Sequence, residues 1–105
     1  MIDACKIILK VMKDRTKKQL SSDVMLGSTV IHQLQILGEA AVGISGKSKQ
    51  TLAHIPWKKI IGMRNQLIHC YFDVDYDIVW ATITEHLPML YEQLKSAQRQ
   101  FLLKK

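Results

Sequence analysis

An arginine, an asparagine and a histidine lie close together in this 105-residue chain, where they could act on one substrate. They are Arg64, Asn65 and His69, and Tyr71 is two residues after His69. On an ideal helix, Arg64 and His69 lie about 140° apart with ~7.5 Å of rise, so they do not share one face. Two copies of the helix about a two-fold axis would bring two arginines and two histidines to one cleft. The spacing therefore suggests a dimer.

Arginine and histidine are residue types that can cleave RNA without a metal ion. A histidine can move the 2′-OH proton, and a fixed arginine can stabilise charge that develops on the phosphorane. A structural interpretation explains the same residues: Arg64 would pair with an acidic neighbour such as Asp73 or Asp75, and His69 would cap the helix C-terminus. Spacing alone leaves both interpretations open.

Other chemistries have little support in the sequence. It contains no glycine-rich phosphate loop, no HExxH and no GxSxG motif. His32, His54 and His86 are each far in sequence from a matched cysteine or carboxylate cluster, so we expect no metal site and no cofactor. Cys5 and Cys70 form no CxxC pattern. We expect both to be free thiols, in a protein of the reducing cytoplasm.

The net charge of +6 is distributed unevenly along the chain. Residues 47–64 contain five basic residues and no acidic one, whereas residues 65–94 contain five acidic residues and no basic one. A basic excess favours a polyanionic partner such as nucleic acid. Each block is equally explained as the solvated face of a helix.

Two helices are predicted in the first half of the chain. Apolar residues at i, i+3, i+4 and i+7 predict a first, amphipathic helix that ends near residues 13–18. They are Cys5, Ile8, Leu9 and Met12. The second helix should take its N-cap from residues 21–23 and end at Gly43 or Gly46. Its inward stripe is Leu26, Val30, Gln33, Leu37, Ala40, Ala41 and Ile44. Residues 45–55 have no sustained period and are predicted to form a loop.

Two further helices are predicted in the second half. Pro56 is tolerated in a first turn, and the spacing after it predicts a third helix over about 56–70. Asp73 and Asp75 offer N-caps for a fourth segment. Its apolar stripe is Tyr76, Val79, Trp80, Ile83, Leu87, Leu90, Tyr91 and Leu94.

Pro88 interrupts this fourth segment. A proline removes one backbone donor and clashes with the preceding turn, so we expect a kink or a break between Glu85 and Leu90. No stretch alternates as a half-buried strand does, and the chain is therefore predicted to be all-α. Four to five helices with short links favour an up-and-down bundle that forms a single domain over residues 1–105. No apolar run is long enough for a membrane span.

Several short motifs, in this order, resemble the HEPN superfamily and specifically the HepT-like (DUF86) toxins, over about residues 3–95. The bare R-x4-H pattern is a weak signal, but R-N-x3-H-x-Y framed by the other motifs is specific. The motifs are Ile55-Pro56-Trp57, Gly62-Met63-Arg64-Asn65, His69-Cys70-Tyr71, Val74-Asp75, Val79-Trp80 and Leu87-Pro88.

The resemblance implies a homodimeric helical bundle that cuts RNA at a composite cleft, without metal, and leaves a 2′,3′-cyclic phosphate. Arg64 and His69 would be the catalytic pair, with Asn65 as the accompanying polar residue. Tyr71 matches the tyrosine that the cognate MNT nucleotidyltransferase antitoxin modifies with AMP. Cys70 occupies a variable position and receives no role.

The resemblance gives the basic block a specific interpretation. Lys47, Lys49, Lys58 and Lys59 would follow an RNA backbone towards Arg64. The alternative, from another class of function, is a non-catalytic helical interaction or scaffold subunit of a nucleotidyltransferase complex. Both interpretations predict a nucleotidyltransferase partner and no membrane association.

Overall fold

The computed structural model describes residues 1–69 and 75–103, and within these ranges it contains helices and no strands. The all-α class is therefore confirmed for the described part of the chain. The helices are α1 (Ile2–Met12), α2 (Lys17–Ser22), α3 (Val24–Val42), α4 (Gly46–Thr51), α5 (Trp57–His69), α6 (Tyr76–Ala81) and α7 (Leu87–Leu103), and a π turn (Thr82–His86) joins α6 to α7.

The two long helices of the first half form where the periodicity predicts them. Helix α1 ends at Met12, two residues before Asp14, whose φ of 61° is left-handed and turns the chain. Helix α3 begins after Asp23, whose carboxylate accepts a hydrogen bond of 3.1 Å from the Leu26 N–H. Gly43 follows the last residue of α3. The N-cap and the C-terminal glycine therefore set the bounds of α3 as expected.

Two short helices were not predicted. Thr16 and Gln19 cap α2 reciprocally, with backbone-to-side-chain distances of 2.8 and 3.1 Å, which is a capping box inside the charged stretch. Helix α4 lies in the segment predicted to be a loop, and that prediction is wrong for Gly46–Thr51. The Ser45 hydroxyl accepts from the Ser48 N–H, but no residue of α4 is buried. A helix with no buried face has no periodic apolar residues, so its sequence does not predict it.

The helical path continues through the region of Pro88. The irregularity is a π turn at Thr82–His86, earlier than the predicted 85–90, and it is not a break. The Leu87 N–H donates to the Thr82 carbonyl, five residues back. Because Pro88 has no N–H to donate, a wider turn directly before it changes the register without ending the helix.

Helix α3 lies at the centre of the fold. It packs against α1, α2 and α5, and α1 also packs against α7. Its buried stripe differs from the predicted one by including Leu34, while Gln33, Ala40 and Ile44 are only half-buried. Full burial of one such leucine contributes about 1.5–3 kcal/mol, so this stripe is the main anchor of the bundle. None of the described helices is both long enough and apolar enough to cross a membrane.

Candidate active site

Helix α5 carries the candidate catalytic residues in its last two turns. The Ile55–Pro56–Trp57 segment fixes the start of α5, because the Trp57 indole N–H donates to the Leu52 carbonyl at 3.0 Å and the ring is buried. Buried Ile60 and Leu67 then hold one face of α5 against the core. Arg64 lies between these two anchors along the helix, with 25% of its side chain exposed.

Arg64 is bound by Glu39 of α3. Its Nε and Nη2 donate to the same carboxylate oxygen, Glu39 Oε1, at 2.9 and 2.5 Å. The structural interpretation of the motif predicted an acidic partner for Arg64, such as Asp73 or Asp75, and among the described residues that partner is Glu39. Asp75 instead caps α6 by accepting from the N–H groups of Asp77 and Ile78, and Asp73 lies outside the described residues.

Asn65 contacts Arg64 directly. The Arg64 Nη1 donates to Asn65 Oδ1 at 2.8 Å, and the Asn65 side chain is exposed. Two of the three predicted polar residues of the motif are thus joined by a hydrogen bond. His69 is the last residue of α5, but its side chain falls outside what the structure describes. Tyr71 and Cys70 also lie outside the described residues.

Gly38 allows α3 to approach α5 beside Arg64. A Cβ added to Gly38 would lie 2.1 Å from the Arg64 Cβ and 2.6 Å from its Cγ, far inside van der Waals contact. Any larger residue at position 38 would therefore displace Arg64. Neither Gly38 nor Glu39 was among the residues predicted for the site. Gly38 lies four residues after buried Leu34, and this helical spacing was the one available signal.

The four candidate RNA-binding lysines lie on two helices. Lys47 and Lys49 belong to α4, and Lys58 and Lys59 are exposed in the first turn of α5. Lys58 is seven residues before Asn65, which is about two helical turns, so these side chains share a face of α5. Lys59 instead lines a groove on a different face.

This groove, of about 490 Å³, lies between α5 and the segment that contains the π turn. Its floor includes buried Leu37 and Ile60, and exposed Lys59 and His86 also line it. The groove could not be predicted from the sequence, because its walls come from segments that are distant along the chain. Among the described residues, no cluster of three or more metal-ligating side chains is present.

The helical topology and the polar motif at the end of α5 define an all-α domain of the HEPN type. The family model described as "Ribonuclease HepT-like" matches residues 1–97. The chain therefore belongs to the HepT-like ribonuclease family, as its motifs predicted.

Individual relatives agree with this assignment. A "Putative RNase" of Caldanaerobacter subterraneus subsp. tengcongensis is 33% identical over 95 residues, which cover 90% of this chain and 85% of that protein. A "Putative RNase" of Methanocaldococcus jannaschii is 28% identical over 95 residues, with 90% and 87% covered. The "Probable ribonuclease HepT" of Thermococcus cleftensis is 43% identical over 61 residues, with 58% and 56% covered. No solved structure matches the chain significantly.

Proposed function

We propose that this chain is a metal-independent endoribonuclease toxin that acts as a homodimer in the cytoplasm. The observation that carries the proposal is the intact R-N-x3-H-x-Y motif in a chain of the HepT-like family. The Arg64–Asn65 contact supports it, because a hydrogen bond of 2.8 Å joins two polar residues of the motif.

In the proposed reaction, Arg64 binds the scissile phosphate and stabilises the negative charge of the phosphorane. His69 transfers a proton, either from the attacking 2′-OH or to the leaving 5′ oxygen. The 2′ oxygen forms a bond to phosphorus as the bond from phosphorus to the 5′ oxygen breaks. The products are a 2′,3′-cyclic phosphate and a 5′-hydroxyl, whose new proton balances the one that the 2′-OH has lost. No metal ion takes part in this scheme.

The dimer is proposed because one α5 is a poor site by itself. Arg64 and His69 point in directions about 140° apart on an ideal helix, so a single copy cannot place both on one phosphate easily. Two antiparallel copies of α5 about a two-fold axis would surround one phosphate with both residue types.

Growth arrest in cells tests this function. We expect expression of the wild-type chain to stop growth, and Arg64→Ala and His69→Ala each to abolish the arrest. Both purified variants should elute as dimers in size-exclusion chromatography, which separates loss of chemistry from loss of assembly. Growth arrest that persists in both variants would contradict the proposal.

Control by a cognate MNT nucleotidyltransferase is the second part of the proposal. Transfer of AMP to Tyr71 would add bulk and a negative phosphate two residues from His69, and it would repel an anionic substrate. Tyr71→Phe should keep the toxicity and lose labelling by the antitoxin. Unchanged labelling of the Tyr71→Phe variant would refute the assignment of this residue.

The Arg64–Glu39 ion pair also fits a second function, that of a non-catalytic scaffold subunit of a nucleotidyltransferase complex. In such a subunit Arg64 would only join α5 to α3. A wild-type chain that binds the nucleotidyltransferase but neither arrests growth nor cleaves RNA would favour the scaffold.

A further inference from the structure

Glu39 is an acidic residue of α3 that belongs to none of the recognised motifs. Its side chain is 56% exposed, yet its Oε1 accepts two hydrogen bonds from a residue 25 positions later. An ion pair this exposed contributes only about 0–1 kcal/mol to folding. Stability alone is therefore a weak reason for this contact, whereas its effect on Arg64 is direct.

The contact uses one particular edge of the guanidinium group. Arginine has five N–H donors in one plane. Glu39 occupies the edge formed by Nε and Nη2, and Asn65 accepts from Nη1. The plane is thus held from two sides. Of the five N–H groups, these contacts use three, so one N–H of Nη1 and one of Nη2 remain for other acceptors. Such donors can bind the oxygens of a phosphate.

A second constraint acts on the other end of the same side chain. Gly38 leaves no room between α3 and the Cβ and Cγ of Arg64. Neighbouring residues of one helix therefore fix Arg64 at both ends, Gly38 at the aliphatic stem and Glu39 at the charged group. The Arg64 side chain, which has many rotamers, is thereby restrained to point along α3 towards Glu39.

We infer that Glu39 is a positioning residue, which holds the Arg64 guanidinium so that its remaining N–H groups face the non-bridging oxygens of the scissile phosphate. The inference rests on the proposed ribonuclease function and assigns it a further residue. Glu39 itself touches neither the substrate nor the reacting atoms. Because Arg64 stabilises the transition state, loss of its orientation should lower kcat far more than it raises KM.

Cleavage kinetics with Glu39→Ala and Glu39→Gln test this role. We expect Glu39→Ala to lower kcat by about 10- to 100-fold, the range that a misplaced catalytic group causes, with little change in KM. Glu39→Gln keeps an Oε1 acceptor and should recover most of the rate. Glu92→Ala is the matched control, because Glu92 also forms an exposed ion pair, with Lys95, but lies on α7. It should cleave at the wild-type rate.

The Arg64 Nε–H signal in NMR spectra reports the contact independently of activity. The chain contains three arginines, Arg15, Arg64 and Arg99, so Arg64→Lys assigns the signal by its disappearance. In the wild type the Arg64 Nε–H should exchange slowly with water, and in Glu39→Ala it should exchange fast.

The two measurements separate the possible failures. Faster exchange together with an unchanged kcat in Glu39→Ala would overturn the positioning role and leave the ribonuclease function intact. Unchanged exchange in Glu39→Ala would also overturn it, because the contact would then not hold Arg64. A wild type that shows slow exchange but cleaves no RNA would overturn the proposed function, and the positioning role would fall with it.

Discussion

Arg64 is held by two adjacent residues of α3, and neither could be identified from a motif. The sequence predicted that an acidic residue could pair with Arg64, and it pointed to Asp73 and Asp75 because they are near in the chain. Asp75 is instead used as a helix cap, and Glu39 reaches Arg64 from 25 positions away. Such a contact depends on how α3 and α5 cross, which residue types alone do not determine.

Gly38→Ala tests the fit between α3 and Arg64. The new methyl group would overlap the Arg64 Cβ, so we expect a loss of about 1–3 kcal/mol in the free energy of unfolding, measured by urea denaturation. Gly62→Ala is the matched control, because a Cβ at position 62 meets no atom within 4 Å. It should be neutral or stabilise the protein by up to about 1 kcal/mol, since alanine is the better helix former. Equal effects of both variants would contradict the close approach.

The burial of Cys5 can be tested by the pH dependence of stability. Burial raises the pKa of its thiol from 9.0 to about 11, so the folded state retains the proton where the unfolded state has lost it. The contribution of Cys5 to stability is therefore complete below about pH 9 and is lost as the pH rises to about 11. We expect the difference in unfolding free energy between Cys70→Ser and Cys5→Ala/Cys70→Ser to shrink over this range. A constant difference would show that the Cys5 thiol is not protected by burial.

The helices differ in how well sequence predicts them. Helices α1, α3 and α5 have an apolar face that packs on the core, and each was predicted close to its observed bounds. Helix α2 buries only Leu20 and α4 buries nothing, so their caps were the only local signals. The π turn was anticipated only as an irregularity near Pro88. The position of the polar motif on α5 was thus predictable, whereas the α3 surface that supports it was not.

The N-cap of α6 gives a test of a single element. Asp75→Ala removes the acceptor for two N–H groups and should cost about 0.5–2 kcal/mol of unfolding free energy. Asp75→Asn should keep most of the stability, because an asparagine oxygen caps equally well. Thermal or urea unfolding measures both variants. A loss in Asp75→Asn as large as that in Asp75→Ala would show that charge, and not capping, is the contribution of Asp75.

The whole molecule is a thin bundle, with Cα extents of 45 × 29 × 18 Å over the described residues. The shortest extent, 18 Å, corresponds to two layers of helices, because a helix with its side chains is about 10 Å across. The Asn65 face of α5 is exposed and lies outside the groove, so a second copy could pack on it and complete the site. The +6 net charge suits a substrate with many phosphates.

The basic face gives a test of substrate binding. Lys58 shares the Asn65 face of α5, whereas Lys59 lines the groove. We expect Lys58→Ala to reduce the slope of log affinity against log salt by about 0.7 for single-stranded RNA, as loss of one phosphate contact does. Lys59→Ala should have a smaller effect. Fluorescence anisotropy measures both in a His69→Ala background, which we expect to be inactive. Equal slopes in all three proteins would contradict an RNA path along this face.

Cleavage of RNA by the purified chain in excess EDTA is the decisive test of a metal-independent ribonuclease. We expect the wild type to cleave RNA under these conditions and to leave 2′,3′-cyclic phosphate ends. Arg64→Ala and His69→Ala should each be slower by at least about 100-fold, because each removes one of the two groups that act in the transition state. Cleavage that stops in EDTA, or that proceeds at the wild-type rate in both variants, would rule out metal-independent cleavage by Arg64 and His69.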